Sequence, residues 1–314
     1  MEKINLYNIY NKKVTLILTD TYEEADFITH NGTFHADEVM ATVLLLNKFD
    51  EIKLYRTNDI IDENKFIYDI GFKEFDHHAL SFNEKRENGI KYASCGLIWK
   101  SFASDILNGF SIDNKKDFIN KVDENLIMDI DRDDNGQKLT NDLNIKQQTI
   151  PSLINSFNPV WNSSLSENKC FINAIYFANT IFNNTINHMI AKEEARSIIE
   201  KKIEESKDNY IVLDKYMPWK DIVLSSKNKK AKDILYAIFP SKRGGFNIVA
   251  TPKEINSFDV KKPFPKSWSG LDKEDLRKVS GIKTINFCHK NLFICATEDY
   301  NDALKIVDIA LEKK

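Results

Sequence analysis

Four of the six histidines in the chain, His30, His35, His77 and His78, lie within a 49-residue stretch. The segment Thr29-His-Asn-Gly-Thr-Phe-His-Ala-Asp-Glu38 brings two imidazoles and the Asp37 carboxylate together within eight residues. Tyr68-Asp69 and Phe75-Asp76-His77-His78 follow, and Asp129, Asp131, Asp133 and Asp134 cluster further along. Nitrogen and oxygen donors without thiolate suit Mn, Mg, Fe or Zn in a catalytic setting better than a structural zinc knot. The four cysteines, Cys95, Cys170, Cys288 and Cys295, form no CxxC pair, so neither a thiolate zinc site nor a disulfide framework is expected. Three histidines and three aspartates, spread over four loops, suffice for two ions. A bridging aspartate would hold such ions about 3.5–4 Å apart and let them activate a water.

Taken singly, each element has an ordinary explanation. A lone loop histidine such as His30 is usually just hydrogen-bonded, and His77-His78 alone is within chance. Asp131 to Asp134 reads as a solvated helix end. Asp37 and Glu38 read as first-turn residues favoured by the helix dipole. Four such elements, each at a strand or helix terminus, together argue for a metal site.

The elements that must position them are visible as periodicity. Val14–Leu18, Phe27–Thr29, Ile52–Arg56 and Phe66–Ile70 read as strands. Residues 38–47 read as a helix with Val39, Val43 and Leu46 on one side. Strand, polar loop, helix, strand is the βαβ pattern of a parallel sheet, in which ligands sit at the carboxyl ends of the strands. Residues 94–130 read as mostly helical, with a stripe of Phe118, Val122, Leu126 and Ile130, and 150–168 as loop. A long helix over about 170–207 precedes a strand-rich segment, with strands near 210–213, 234–239, 246–250, 284–288 and 292–295 and a closing helix near 299–312. The expectation is an α/β protein of two domains: a parallel-sheet catalytic domain over 1–205 and a smaller α/β substrate-binding domain over 206–314.

Composition narrows the partners. The 314 residues are 42% hydrophobic and 29% charged, which excludes a disordered or fibrous chain. A net charge of -3 gives no global basic field for coating DNA, though a lysine patch or bound cations can still handle phosphate. Apolar runs such as Val43–Leu46 are far too short to span a bilayer, and the first residues do not read as a signal peptide. A cytoplasmic protein without a membrane partner is expected.

Asp76-His77-His78 after strand-terminal Asp69 resembles the DHH phosphoesterase superfamily. Thr29 to Glu38 is similar to the opening motif of the melanocyte proliferating gene family. Tyr68-Asp-Ile-Gly71, Phe75 to His78, Ala93-Ser-Cys-Gly-Leu97 and Asp134-Asn-Gly136 follow in that family's order. Tyr216-Met-Pro-Trp219, Pro252, Lys262 to Leu271 and His289 extend the likeness nearly end to end. The resemblance implies a two-domain DHH-like fold and a metal-dependent phosphodiesterase; eukaryotic members of that family act as 3'–5' RNA exonucleases. It also implies two divalent ions, Mn first, with Mg or Zn as alternatives. His30, His35 and Asp69 would hold one ion, and Asp37, Asp69, His77 and Asp131 the other, with Asp69 bridging. Asp131 is preferred to Asp134 by the resemblance alone. His78 would meet the scissile phosphate and Asp76 would orient a neighbouring histidine.

In the second domain, Lys242-Arg243-Gly244-Gly245 reads equally as a phosphate-gripping loop and as an exposed hairpin turn. The resemblance lets His289 reach a phosphate, as a catalytic or substrate-binding group. Trp161, Trp219 and Trp268 offer faces for base stacking, although tryptophans are more often core. The function expected is a 3'–5' exonuclease on single-stranded RNA or short oligonucleotides. The alternatives are a small-molecule phosphoesterase (pyrophosphate, cyclic dinucleotide or nucleoside phosphate) and a non-catalytic RNA-binding protein. A homodimer is compatible with each.

Overall fold

The structure is a computed structural model and describes residues 1–62, 64–138, 140, 147–255 and 257–312. The chain is mixed α/β and divides into two compact units, Met1–Ile190 and Ala191–Lys314. Among the described residues no helix is long and apolar enough to cross a membrane.

The first unit begins with strands β1 (Glu2–Tyr7) and β2 (Lys13–Leu18), paired antiparallel. Strand β3 (Phe27–Thr29) leads through a polar loop into helix α1 (Ala36–Lys48), followed by β4 (Glu51–Arg56) and β5 (Phe66–Ile67). The sheet order is β1-β2-β4-β3-β5, and every pair after the first is parallel. Helix α1 is apolar almost all round and buried from Ala36 to Asn47, as a helix covered on several sides must be. In the β3–β5 register Ile28 stands beside Ile67. Continuing that register by two residues sets His30 beside Asp69, at the carboxyl ends of neighbouring strands.

Helix α2 (Ser94–Ile106) packs on α1. Helix α3 (Lys115–Val122), a π turn (Asp123–Ile127) and helix α4 (Met128–Asp134) then run on without a break. The four-residue spacing of Phe118, Val122, Leu126 and Ile130 explains the π turn. On a 3.6-residue helix each such step drifts about 40°, and a π turn takes up the extra residue. All four side chains are buried. The stretch expected as loop contains a short helix, α5 (Ile150–Asn155), capped by Thr149 with Pro151 in its first turn.

Helix α6 (Glu167–Glu205) is 39 residues long. The division of the chain falls inside it, earlier than the boundary expected near 205, because Ala195, Ile199 and Ile203 pack into the core of the second unit. The second unit continues with β6 (Tyr210–Val212), α7 (Trp219–Ser225), β7 (Tyr236–Pro240) and β8 (Phe246–Ala250). It closes with α8 (Lys273–Ser280), β9 (Ile285–Cys288), β10 (Ile294–Thr297) and α9 (Tyr300–Leu311). The sheet order is β6-β7-β8-β10-β9, parallel only between β6 and β7. Alternation along β7 divides the core by face: Tyr236 and Ile238 join Ile306 and Val307 of α9, while Ala237 and Phe239 join Trp219 and Ile222 of α7.

Residues 241–245 form the turn between β7 and β8, closed by the Ser241 amide donating to the Gly245 carbonyl at 2.9 Å. Gly245 has φ +68, and a Cβ there would stand 2.2 Å from the Thr297 carbonyl oxygen; at Gly244, φ +92, it would meet nothing. Gly245→Ala is therefore expected to lower stability by at least about 1–3 kcal/mol, and by clearly more than Gly244→Ala. Urea unfolding of the two variants checks this.

Candidate metal centre

The His30–His35 loop between β3 and α1 is held from three sides. The Arg56 guanidinium lies 4.6 Å from the Phe171 ring centroid and donates to the Gly32 carbonyl at 2.8 Å. Asn158 accepts the Phe34 amide and donates to the Phe34 carbonyl, at 3.0 and 2.7 Å. Glu38 closes the start of α1 by accepting the His35 amide at 2.9 Å, as the third residue of a capping box does. Fully buried Glu38 also meets His30 Nε2 at 2.8 Å. Sequence reasoning left Glu38 as an ordinary helix residue and passed over Arg56 and Asn158. The one available signal was the N-cap-plus-three spacing of His35 and Glu38.

Asp37, also fully buried, accepts the amides of Ser94 (2.9 Å) and Cys95 (2.6 Å) at the start of α2. Asp131 accepts the next amide, from Gly96, at 2.9 Å. A Cβ on residue 96 would stand 1.8 Å from Asp131 Oδ2, so this close approach requires glycine. Asp131 Oδ2 faces Arg86 Nη2 at 2.7 Å as a charge pair without hydrogen-bond alignment, and Arg86 is in turn bound by both oxygens of Asp123.

Asp69 lies at the centre. Its Oδ2 is 3.3 Å from His30 Nε2, and its Oδ1 is 3.7 Å from both His77 Nδ1 and His78 Nδ1. Ser94 Oγ donates to Oδ1 at 3.1 Å. Asp69 (φ +59), Gly71 (+86) and Phe72 (+54) are all left-handed; glycine suits its position, and the strain in the loop after β5 falls on the two other residues, chiefly Phe72. Asp76 tethers it: one oxygen accepts the Phe72 amide at 2.6 Å, and the other takes the amide (3.1 Å) and Nδ1 (2.6 Å) of His78.

His77 Nε2 is 2.9 Å from Asp134 Oδ2. Its buried Nδ1 has no hydrogen-bond partner among the described residues; it faces Asp69 at 3.7 Å and Asp37 at 3.9 Å. These separations are too long for hydrogen bonds. They suit donors that share a cation, each about 2.1 Å from it. With Nε2 facing Asp134, Nδ1 is the ring nitrogen left to meet a cation between the two carboxylates, the pairing of a carboxylate with the outer nitrogen that metal-bound histidines favour. The donor set therefore fits a divalent cation, and the acidic and histidine clusters here can hold one.

Of the residues expected from the sequence, His30, His35, Asp37, Asp69, Asp76, His77, His78 and Asp131 all fall in this one region. His35 is exposed, its ring 5.8 Å from that of His30. Asp131 is engaged by Arg86 and Gly96, and it is Asp134 that meets His77. Lys242, Arg243, Gly244, Gly245 and His289 belong to the second unit. There His289 Nδ1 accepts the Asn291 amide at 3.1 Å and its ring packs 4.4 Å from that of Phe293. Trp219 and Trp268 are buried and Trp161 is exposed, so of the three only Trp161 presents a face.

The charges explain what the cluster needs. Burial, and then the carboxylates of Asp69, Asp134 and Asp131, push the Asp37 carboxyl well up. Burial raises Asp131 to about 7 against the opposing pull of Arg86. Burial works against a charged His30, but hydrogen bonds and charges from Asp69 and Glu38 outweigh it and raise the imidazole to about 10. A raised histidine stabilises the fold fully below its ordinary value of 6.5 and loses that contribution as pH rises through about 10. Raised Asp131 acts in the same sense between 3.8 and about 7. Asp76 is lowered, its bonds from His78 and Phe72 overcoming burial, and its opposite effect lies below 3.8. The chelated protein is thus expected to melt at progressively lower temperature from about pH 5 to about pH 9, with added divalent cation suppressing the decline. Calorimetry with and without chelator reads this. Asp134→Ala is expected to weaken divalent-ion affinity about 10–100-fold by freeing His77. Asp131→Ala instead costs about 2 kcal/mol of stability or more, because Arg86 and the Gly96 amide lose a buried partner. Metal titration beside chemical unfolding separates the two.

Residues 26–311 match the sequence profile MYG1_exonuc, described as "Uncharacterised protein family (UPF0160)". Similar proteins include the MYG1 protein of Dictyostelium discoideum, 29% identical over 307 residues and covering 88% of this chain and 93% of that one. The MYG1 protein of Schizosaccharomyces pombe is 27% identical over 314 residues, covering 90% and 96%. The MYG1 exonuclease of Homo sapiens is 26% identical over 321 residues, covering 91% and 85%. No solved structure matches. With most of both units inside the match, the chain belongs to the MYG1 family (UPF0160).

Proposed function

We propose that the protein is a divalent-metal-dependent phosphodiesterase, a 3'–5' exonuclease acting on single-stranded RNA or short oligonucleotides. The observation that carries the reading is the unpartnered His77 Nδ1 facing Asp37 and Asp69, with Asp69 also facing His30 and His78. The similarity to the human MYG1 exonuclease supports it. His77, Asp37 and Asp69 would hold one ion, and His30, His35 and Asp69 a second; Mn2+ suits these nitrogen and oxygen donors, with Mg2+ and Zn2+ as alternatives. Bound there, divalent ions supply charge neutralisation for the phosphoryl oxygens and a water that deprotonates near neutral pH.

The chain's own groups do the rest. Asp134 would orient His77 from the Nε2 side, 2.9 Å away, and Asp131 anchors the start of α2 beside Asp37. Asp131, grouped with Asp37 and Cys95, would remain a candidate ligand as the sequence suggests. His78 is raised above its ordinary value, first by its hydrogen bond to Asp76, which favours the protonated imidazole. With Nδ1 engaged by Asp76, His78 Nε2 is the nitrogen left to hold the scissile phosphate or protonate the leaving oxygen. In the second unit a groove of about 810 Å3, lined by Tyr216, Phe239, Lys242, Arg243, Asn247 and Phe287, offers two cations and aromatic faces suited to a nucleotide. His289 would add a further phosphate contact.

A panel of labelled RNA, DNA, dinucleotides and pyrophosphate, each with Mn2+, Mg2+ or Zn2+, tests the reading. Stepwise 3'-end shortening of RNA is expected, abolished by Asp69→Ala and His77→Ala and reduced about 10²–10⁴-fold by His78→Ala. Full nuclease activity in the Asp69 and His77 variants would overturn it. Turnover of pyrophosphate alone would favour a small-molecule phosphoesterase.

A further inference from the structure

The metal cluster opens on two sides of different character. On one side lies a pocket of about 390 Å3 whose lining includes Asp37, His77, Asp133, Asp134 and Asn155. On the other lies a pocket of about 470 Å3, within the size range of small-molecule sites. Its lining includes His30, Asp69 and His78 of the cluster together with Asn58, Ile60, Ile70 and Phe72. Ile60 and Ile70 are fixed by packing on Tyr22, Ile28 and Ile67. Phe72 is different: its side chain is 70% exposed, on a backbone with φ +54. A bulky residue in that region is an outlier, and strained positions cluster at ligand sites. The Asp76 carboxylate holds Phe72 there through its amide, the same carboxylate that orients His78. One anchor therefore sets both a phosphate-facing imidazole and an unburied aromatic face. Asn58 Oδ1 accepts the Asn31 amide at 3.1 Å, which leaves its Nδ2 hydrogens for an acceptor on a ligand edge.

We propose that this pocket receives the terminal nucleobase of the substrate, stacked on Phe72 with its edge toward Asn58, and so makes Phe72 a specificity-determining residue. The assignment rests on the phosphodiesterase reading above. A flat base with apolar faces and a polar rim matches the wall, whereas a bare phosphate or pyrophosphate has nothing to set against Ile60, Ile70 and Phe72. Stacking tolerates any base, so the site selects nucleotides over sugar phosphates without selecting a sequence.

The test is calorimetric binding of adenosine 5'-monophosphate and of ribose 5-phosphate in the presence of Mn2+. The wild-type protein is expected to prefer the nucleotide by about tenfold. Phe72→Ala should bring that ratio close to one, and Phe72→Trp should keep it. A wild-type protein without the preference, or binding neither ligand, overturns the proposal, as does a preference that survives in Phe72→Ala. An equal loss for both ligands in Phe72→Ala would mean a merely structural role and also overturns it. Hydrolysis of bis(p-nitrophenyl) phosphate reports the catalytic reading separately. Turnover without a base preference sinks only the Phe72 assignment; a Phe72-dependent preference without hydrolysis of any phosphodiester sinks only the catalytic reading.

Discussion

The Asp37 carboxylate is buried completely, sits in the first turn of α1 and accepts the first two amides of α2. Two helix N-termini thus converge on one negative charge, an arrangement that the helix dipole and the orphan first-turn amides both favour. Asp131 takes the third amide of α2 and, with Arg86, ties α4 to the same point. What those amides do not supply is neutralisation for the carboxylates of Asp69 and Asp134 close by, and the upward pressure on Asp37 records that deficit. Buried charges persist in folded proteins when they are paired or bind a metal. The placement of α1, α2 and α4 and the capacity of the cluster for a cation have the same origin.

The strained loop from Asp69 to Phe72 depends on that frame. Three of its four residues have left-handed backbone; glycine adopts it freely at 71, but at Phe72 it survives only where neighbouring structure over-determines it. The parallel β3–β5 register delivers Asp69 beside His30, and the Asp76 carboxylate returns to bind the loop at Phe72. Asp76 then does two jobs through separate oxygens, fixing the loop with one and His78 with the other. Its hydrogen bonds favour the ionised form strongly enough to overcome burial.

Much of this was legible in the sequence. The parallel sheet, α1, the long α6 and the strands of the second unit follow from periods of 2 and 3.6, and the histidine and aspartate motifs pointed to the region where the structure gathers them. Less legible were elements whose signal is not periodicity. β1 buries only Leu6 among its six residues, and α8 only Leu276 among its eight, so neither stood out as a hydrophobic pattern. The choice between Asp131 and Asp134 could not be read from spacing. It turns on which carboxylate reaches Arg86 and which reaches His77, a matter of helix phase after the π turn. Glu38, Arg56 and Asn158 act through tertiary contacts to a loop, and a single sequence carries almost no trace of those.

The central claim, that the unpartnered nitrogen of His77 and the carboxylates of Asp37 and Asp69 are the donors of a cation site, is open to direct observation. Anomalous scattering from crystals grown with Mn2+ locates the ion without reference to activity. The account predicts a peak within bonding distance of His77 Nδ1 and of the Asp37 and Asp69 carboxylates, absent in His77→Ala. A saturated crystal with no peak there, or with a peak that leaves His77 Nδ1 unbound, would contradict it.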